Sequence, residues 1–162
     1  PGRSARVGAR LDVQVPTFAA RRFDPNTLRV RLAGGVSAGA LPVQERWALD
    51  GQLAGFAPFG VFHARLARPY AGDAYAALFW QHDFRTRPFE IAHLWPLVGA
   101  GTGLRLRGAH GRAWQDGAPA IPWHHEIGLD ATRLFATPLR VGLTRRLDAP
   151  GWYGSFGFDV RW

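Results

Sequence analysis

The sequence predicts an all-β fold, an antiparallel transmembrane β-barrel to which this chain contributes about seven strands, and three observations predict it. Several stretches alternate apolar and polar residues with a period of two, as strands with one apolar and one polar face must. The polar face of those strands carries arginines in succession, which are costly in a dry core but suit a water-filled interior. The closing stretch from Gly151 to Trp162, GWYGSFGFDVRW, has about the length of a tilted membrane-crossing strand, roughly 9–11 residues. There Trp152, Gly154, Phe156, Phe158, Val160 and Trp162 share one face, opposite Tyr153, Ser155, Gly157, Asp159 and Arg161. An apolar edge of that kind invites aggregation in water, although the same alternation also fits an edge strand of a soluble sandwich.

Taken in order, residues 5–16 place Val7, Ala9, Leu11, Val13 and Val15 opposite Arg6, Gly8, Arg10, Asp12 and Gln14. A turn follows over 19–26, marked by Asp24-Pro25-Asn26. Residues 27–38 set Leu28, Val30, Leu32 and Val36 against Arg29, Arg31, Ala33 and Gly35. The segment 39–72 is rich in Gly and Pro and keeps no period, and a loop of that length tends to be functional. Residues 74–84 read as an aromatic-rich strand with mixed faces. Residues 85–97 (RTRPFEIAHLWPL) hold two prolines and read as a connector whose apolar part lies at a membrane surface. In 99–114 Leu104 and Leu106 oppose Arg105 and Arg107, and two merged strands are an alternative there. After a loop over 115–122, His125, Ile127, Leu129 and Ala131 oppose Glu126, Gly128, Asp130 and Thr132. Residues 138–147 set Leu139, Val141 and Leu143 against Arg140, Gly142 and Thr144, and Asp148 to Gly151 turn into the final strand. The apolar residues expected to face lipid are Val7, Leu11, Leu28, Val30, Leu104, Leu129, Val141, Phe158 and Val160.

The chain has 162 residues, enough for one domain with a core, and residues 1–162 are read as a single barrel-derived domain. It starts at Pro1 with no signal segment, so a processed or partial chain is expected. No apolar run reaches the roughly 18 residues of a membrane helix; any membrane crossing must then use a closed barrel. Cysteine is absent, which removes disulfides and thiolate metal sites. The formal net charge is +8, and all 20 basic residues are arginine. Such a charge raises a soluble nucleic-acid-binding β-module as the main rival, but that module would cluster its arginines on one patch, whereas these are spread over many strands. An outer-membrane barrel enzyme or passive channel ranks third.

His124 and His125 are neighbours, so in a strand they point to opposite faces and cannot share one ion. His124 and Glu126 do share a face, but two ligands make an incomplete site. No cofactor, metal or catalytic set is expected, and the chain reads as a non-enzyme. The acids Asp83, Glu126, Asp130 and Asp159 are expected to pair with Arg105, Arg107, Arg140 and Arg161 across neighbouring strands of a charged lumen wall. Trp80, Trp95, Trp114, Trp123 and Trp152 fall near predicted strand ends, where aromatic girdles sit.

Three stretches resemble the C-terminal half of a BamA/TamA-type outer-membrane barrel, of the bacterial surface-antigen superfamily. They are Leu41 to Phe56 (LPVQERWALDGQLAGF), Gly99 to Arg105 (GAGTGLR) and Pro138 to Trp162. Residues 75–97 look closest to an uncharacterised branch whose barrel follows a carboxypeptidase-regulatory-like domain. The resemblance implies strands ten to sixteen of a sixteen-stranded barrel in the outer membrane of a Gram-negative bacterium, with a role in protein assembly or translocation. It further implies partners: outer-membrane lipid including lipopolysaccharide, the barrel-assembly machinery, and unfolded outer-membrane proteins, with no nucleic acid. The family's assembly signal would fall on Phe156, Phe158, Val160 and Trp162. The family's sixth extracellular loop would be 39–72, folded into the lumen as plug or brace, with 19–26 and 133–138 in the periplasm. Its motif would involve Glu45, Arg46, Gly55 and Phe56, with Phe56 packed inward. The family carries an arginine before the Gly-Phe pair; Ala54 stands there. A charge-assisted lock cannot form from Ala54, so the loop is expected to be held by packing and by Glu45 or Arg46.

Overall fold

The computed structural model describes residues 4–18, 24–39, 46–49, 51–52, 56–66, 70–117 and 122–158. The strands are β1 (Ala5–Pro16), β2 (Thr27–Ala38), β3 (Trp47–Leu49), β4 (Gly51–Gln52), β5 (Phe62–Leu66), β6 (Tyr70–Gly72) and β7 (Ala74–Arg85). Two five-residue helices, α1 (Arg87–Ile91) and α2 (Trp95–Gly99), precede β8 (Gly103–Trp114), β9 (His124–Thr132), β10 (Leu139–Arg146) and β11 (Trp152–Phe158). Seven of the strands form one antiparallel sheet in the order β1-β2-β7-β8-β9-β10-β11. Each is hydrogen-bonded to its neighbour in sequence except that β2 and β7 are joined across the long 39–73 segment. The sheet is open, with β1 and β11 at its edges.

Period-two patterning put these seven strands where they are, and it also fixes which side chains share a row. One row runs Asp12–Arg31–Phe79–Ala109–Glu126–Arg146 across six strands, and another runs Thr27–Asp83–Arg105–Asp130–Gly142–Ser155. On the opposite face a row runs Val15–Leu28–His82–Leu106–Leu129–Leu143–Gly154. A slip of one residue in any pair would exchange the two sets.

The polarity of the two faces is inverted relative to a water-soluble sheet. One face buries Asp83, Arg105, Arg107, Glu126, Asp130, Arg140, Thr144 and Ser155. The other exposes between 46% and 70% of Val7, Leu11, Leu32, Leu129, Val141, Leu143, Phe156 and Phe158. Leu28, Val30 and Leu104 lie on that same apolar face and are half-buried. Val160 lies outside the described residues.

The two ends of the strands differ. At the end where β7 and β9 begin, Trp114 and Trp123 meet edge-to-face, Trp123 stacks on His125, and Arg145 lies over Trp152. At the other end Phe18, His82 and Phe84 cluster, and Trp95 and Phe135 are exposed. Trp80 is a correction to the expected girdle, because it sits in the middle of β7 and covers Gly108, where a Cβ would lie 2.5 Å from the indole.

Other details also depart from the sequence reading. Residues 99–114 are one strand, not two, and it starts only at Gly103, because Trp95–Gly99 is helical. The connector after β7 folds into α1 and α2, each with a proline in its first turn, where the missing N–H has no acceptor to lose. The supposedly structureless loop contains four short strands, β3 pairing with β6 and β4 running parallel to β5. No helix among the described residues is long and apolar enough to cross a membrane.

Candidate functional site: a loop docked on the charged face

The loop between β2 and β7 lies against the charged face. β3 touches β2, β7 and β8, while β5 touches β9, β10 and β11. Its apolar foothold is Phe62, fully buried with Leu49, Ala77, Phe79 and Ala109. Phe62 meets Phe79 at a ring-centroid distance of 5.1 Å and His124 edge-on at 4.9 Å. The ring fits because β8 has Gly111 beneath it, where a Cβ would come within 2.6 Å of the Phe62 ring. At the other side of the loop the Trp47 indole lies over Gly8 and Gly35, tilted against Tyr75.

The polar foothold is Glu126, buried near the start of β9. One carboxylate oxygen accepts the His63 backbone N–H at 2.7 Å and the other accepts that of Ala64 at 2.8 Å. His124 Nε2 stands 3.1 Å from the second oxygen. Two further contacts hold the approach to β5. Arg140 donates to the Ala57 carbonyl at 2.6 Å, and Arg31 donates to that of Phe59 at 3.2 Å. Hydrogen bonds with an ionised partner are about twice as strong as neutral ones, so these four charge-assisted contacts are the polar grip of the sheet on the loop.

Beside this grip the wall neutralises itself in pairs. Arg105 Nη2 is 3.0 Å from Asp83, and Arg107 Nε is 2.9 Å from Asp130, which also has Arg140 at 3.7 Å. Arg107 donates as well to Thr144 Oγ1 at 2.7 Å and to Ser155 Oγ at 3.3 Å. Asp130 reaches both arginines by leaning over Gly142, where a Cβ would sit 2.0 Å from its Oδ1. Burial of so many charges is tolerable only because each has a partner.

Several sequence expectations are therefore met. Asp83 pairs with Arg105, and Asp130 with Arg107 and Arg140. His124 points into the charged face and His125 out of it, the latter with its Nδ1 2.9 Å from that of His110. Phe156 and Phe158 lie on the exposed apolar face. Asp159, Val160, Arg161, Trp162, Glu45, Ala54 and Gly55 lie outside the described residues.

Two expectations need correction. Phe56 is not packed inward: it is 46% exposed and its backbone bridges Phe156 at the open edge of β11. The inward aromatic is Phe62, six residues later. Among the described residues Glu126 pairs with no arginine; two backbone N–H groups and His124 occupy it instead. Among the described residues Arg46 Nε has Asp73, just before β7, at 3.9 Å.

His63 lies buried beside Ser155. Its Nδ1 is 3.3 Å from Ser155 Oγ, a distance that suggests a nucleophile and base. Burial, reinforced by the charges of Arg107, Arg140 and Arg105, pushes the His63 pKa down to about 2. A base that weak does not activate a serine at neutral pH, and the arrangement serves to satisfy a buried imidazole. At the turn before β11, burial pushes the Asp148 carboxyl up, yet the Arg146 guanidinium and the His125 N–H hold it at about 2.

No protein-family model matches the chain, and a search of curated proteins returns no relative. What fold and site define is a class: an open antiparallel seven-stranded sheet with a charged buried face, an apolar exposed face and a loop fastened to the charged side.

Proposed function

We propose that this chain is part of an outer-membrane β-barrel whose charged face lines the lumen, with the 39–72 segment as an internal brace, in a protein related to assembly and translocation barrels. The observation that carries the reading is the inverted polarity of the sheet. Water-filled barrels alternate apolar-out and polar-in along each strand, with aromatic residues at both rims, and the apolar exposed face, the charged buried face and the aromatic strand ends of this sheet support that reading. At about 3.3 Å per residue a 12-residue strand such as β1 is roughly 40 Å long, enough at barrel tilt to cross an apolar band about 25 Å tall.

The edge positions of β1 and β11 in the open sheet fit the same reading, since a barrel abolishes edges by closing, here with strands outside this chain. In this reading Phe156, Phe158, Val160 and Trp162 form the strand-end signal that assembly machinery recognises, and the 39–72 loop enters the lumen from the outside of the cell. The soluble nucleic-acid module is disfavoured by the pairing of Arg105, Arg107 and Arg140 with acids and carbonyls on a covered face. Extraction of the native protein tests the proposal. Membranes washed in high salt should retain it and detergent should release it; release by salt alone would overturn the membrane reading and revive the nucleic-acid one.

A further inference from the structure

We propose that Arg10, Arg29 and Arg31, grouped around Asp12 on the polar face of β1 and β2, form a binding site for a multivalent oxyanion of the phosphate type. Asp12 has Arg31 Nε at 2.8 Å, Arg10 Nε at 3.0 Å and Arg29 Nη2 at 3.8 Å. One carboxylate shared by three guanidinium groups leaves two positive charges in excess. Further along the wall Arg105, Arg107 and Arg140 are buried, and their side chains expose 6–8% where they pair with Asp83 and Asp130. Here the side chains of Arg10 and Arg29 expose 64% and 36%, so their donors are open to a solute.

The group is also held in place. The Phe59 ring carries Arg29 at 4.3 Å and Arg31 at 5.1 Å from its centroid. Stacking of that kind fixes a guanidinium plane and leaves its N–H edge for a ligand. Arg31 is tied to the Phe59 carbonyl, and Gly60, at φ +99°, makes room for it: a Cβ there would fall 2.1 Å from Arg31 Nη1. The docked loop thus pre-positions two of the three forks. Rigid forks with excess charge favour a compact anion bearing several oxygens over a monovalent ion, and that preference holds whether or not the sheet encloses a lumen.

The source of the oxyanion is either a free phosphate compound or a lipid headgroup, and two probes separate them. The full chain in uncharged detergent is titrated calorimetrically with inorganic tripolyphosphate, and separately with mixed micelles containing an anionic phospholipid. Saturable binding of at least one probe is expected, weakened about tenfold or more by the Arg10→Gln/Arg29→Gln double variant, since one lost charge-assisted contact is worth that factor. Arg145→Gln, at the outer aromatic rim, should change it less than about twofold. The double variant Arg10→Lys/Arg29→Lys keeps charge and lacks the forks, so it should fall between the two. Binding of both probes that is equal in all variants, or binding of neither, overturns the proposal. These titrations do not depend on membrane placement, so they can fail while the extraction result stands.

Discussion

Glu126 is the residue on which the loop turns. Its two oxygens accept two consecutive backbone N–H groups, a task that only an ionised carboxylate performs without also presenting a donor. Glu126→Gln keeps the shape but turns an N–H₂ toward one of those donors, at a cost on the order of 1–3 kcal/mol. The His63 and Ala64 amides should then exchange with solvent about tenfold faster or more, while the strand amides of β8 and β9 hold. Unchanged exchange at both amides would show that Glu126 does not fasten the loop. His63, the next residue in the latch, makes the docking pH-dependent. Its folded pKa, pushed by burial to about 2, lies below the ordinary value near 6.5. Protonation is therefore favoured in the undocked or unfolded state. Docking stability is complete above roughly pH 6.5 and declines by about 1.4 kcal/mol for each pH unit below it. Proteolysis of the loop should accelerate as pH falls from 6.5 to 5, and His63→Gln should flatten that dependence. A flat profile in the unaltered protein would contradict the buried neutral imidazole.

Among the elements, the strands were legible and the loop was not. Six of the seven sheet strands announce themselves by alternation because the two faces meet different surroundings, β7 reads as a strand by its aromatics although its faces are mixed, and the inward arginines of β8 and β10 read directly as Arg105, Arg107 and Arg140. Helices α1 and α2 are too short to show a 3.6-residue period and carry a proline in the first turn, so they read as a connector. The strands β3 to β6 span two to five residues, below what any periodicity can reveal. Phe56 and Phe62 both follow glycine-rich sequence at short range. What selects Phe62 for burial is Gly111, which lies 49 residues further along the chain, and no local pattern connects the two. Phe62→Ala should therefore cost about 3–5 kcal/mol, the usual range for a buried phenylalanine, and Phe56→Ala much less. Gly111→Val should undock the loop by displacing the ring rather than by removing it. Thermal unfolding followed at the loop and at the sheet measures both; equal losses at positions 56 and 62 would reverse this assignment of the anchor.

For the molecule as a whole, the decisive contrast lies between faces that a solvent-based argument would rank the wrong way round. Leu129 is 48% exposed on the apolar face, at the middle of β9 and flanked in its row by Leu106 and Leu143. In water, replacing a half-exposed surface leucine with arginine changes stability by less than about 0.5 kcal/mol. In a bilayer, an arginine on the lipid face near the midplane costs roughly 2–4 kcal/mol, and less toward either rim. Leu129→Arg should thus lower the folded, detergent-resistant fraction in membranes strongly. Arginine introduced at Trp152, beside Arg145 at the rim, should lower it by no more than about 1 kcal/mol. The depth dependence is the discriminating measurement, because loss of packing alone would follow side-chain size and penalise Trp152 more than Leu129. If the two substitutions rank by size instead of by position along the strand, the apolar face is covered by another protein surface and not by lipid.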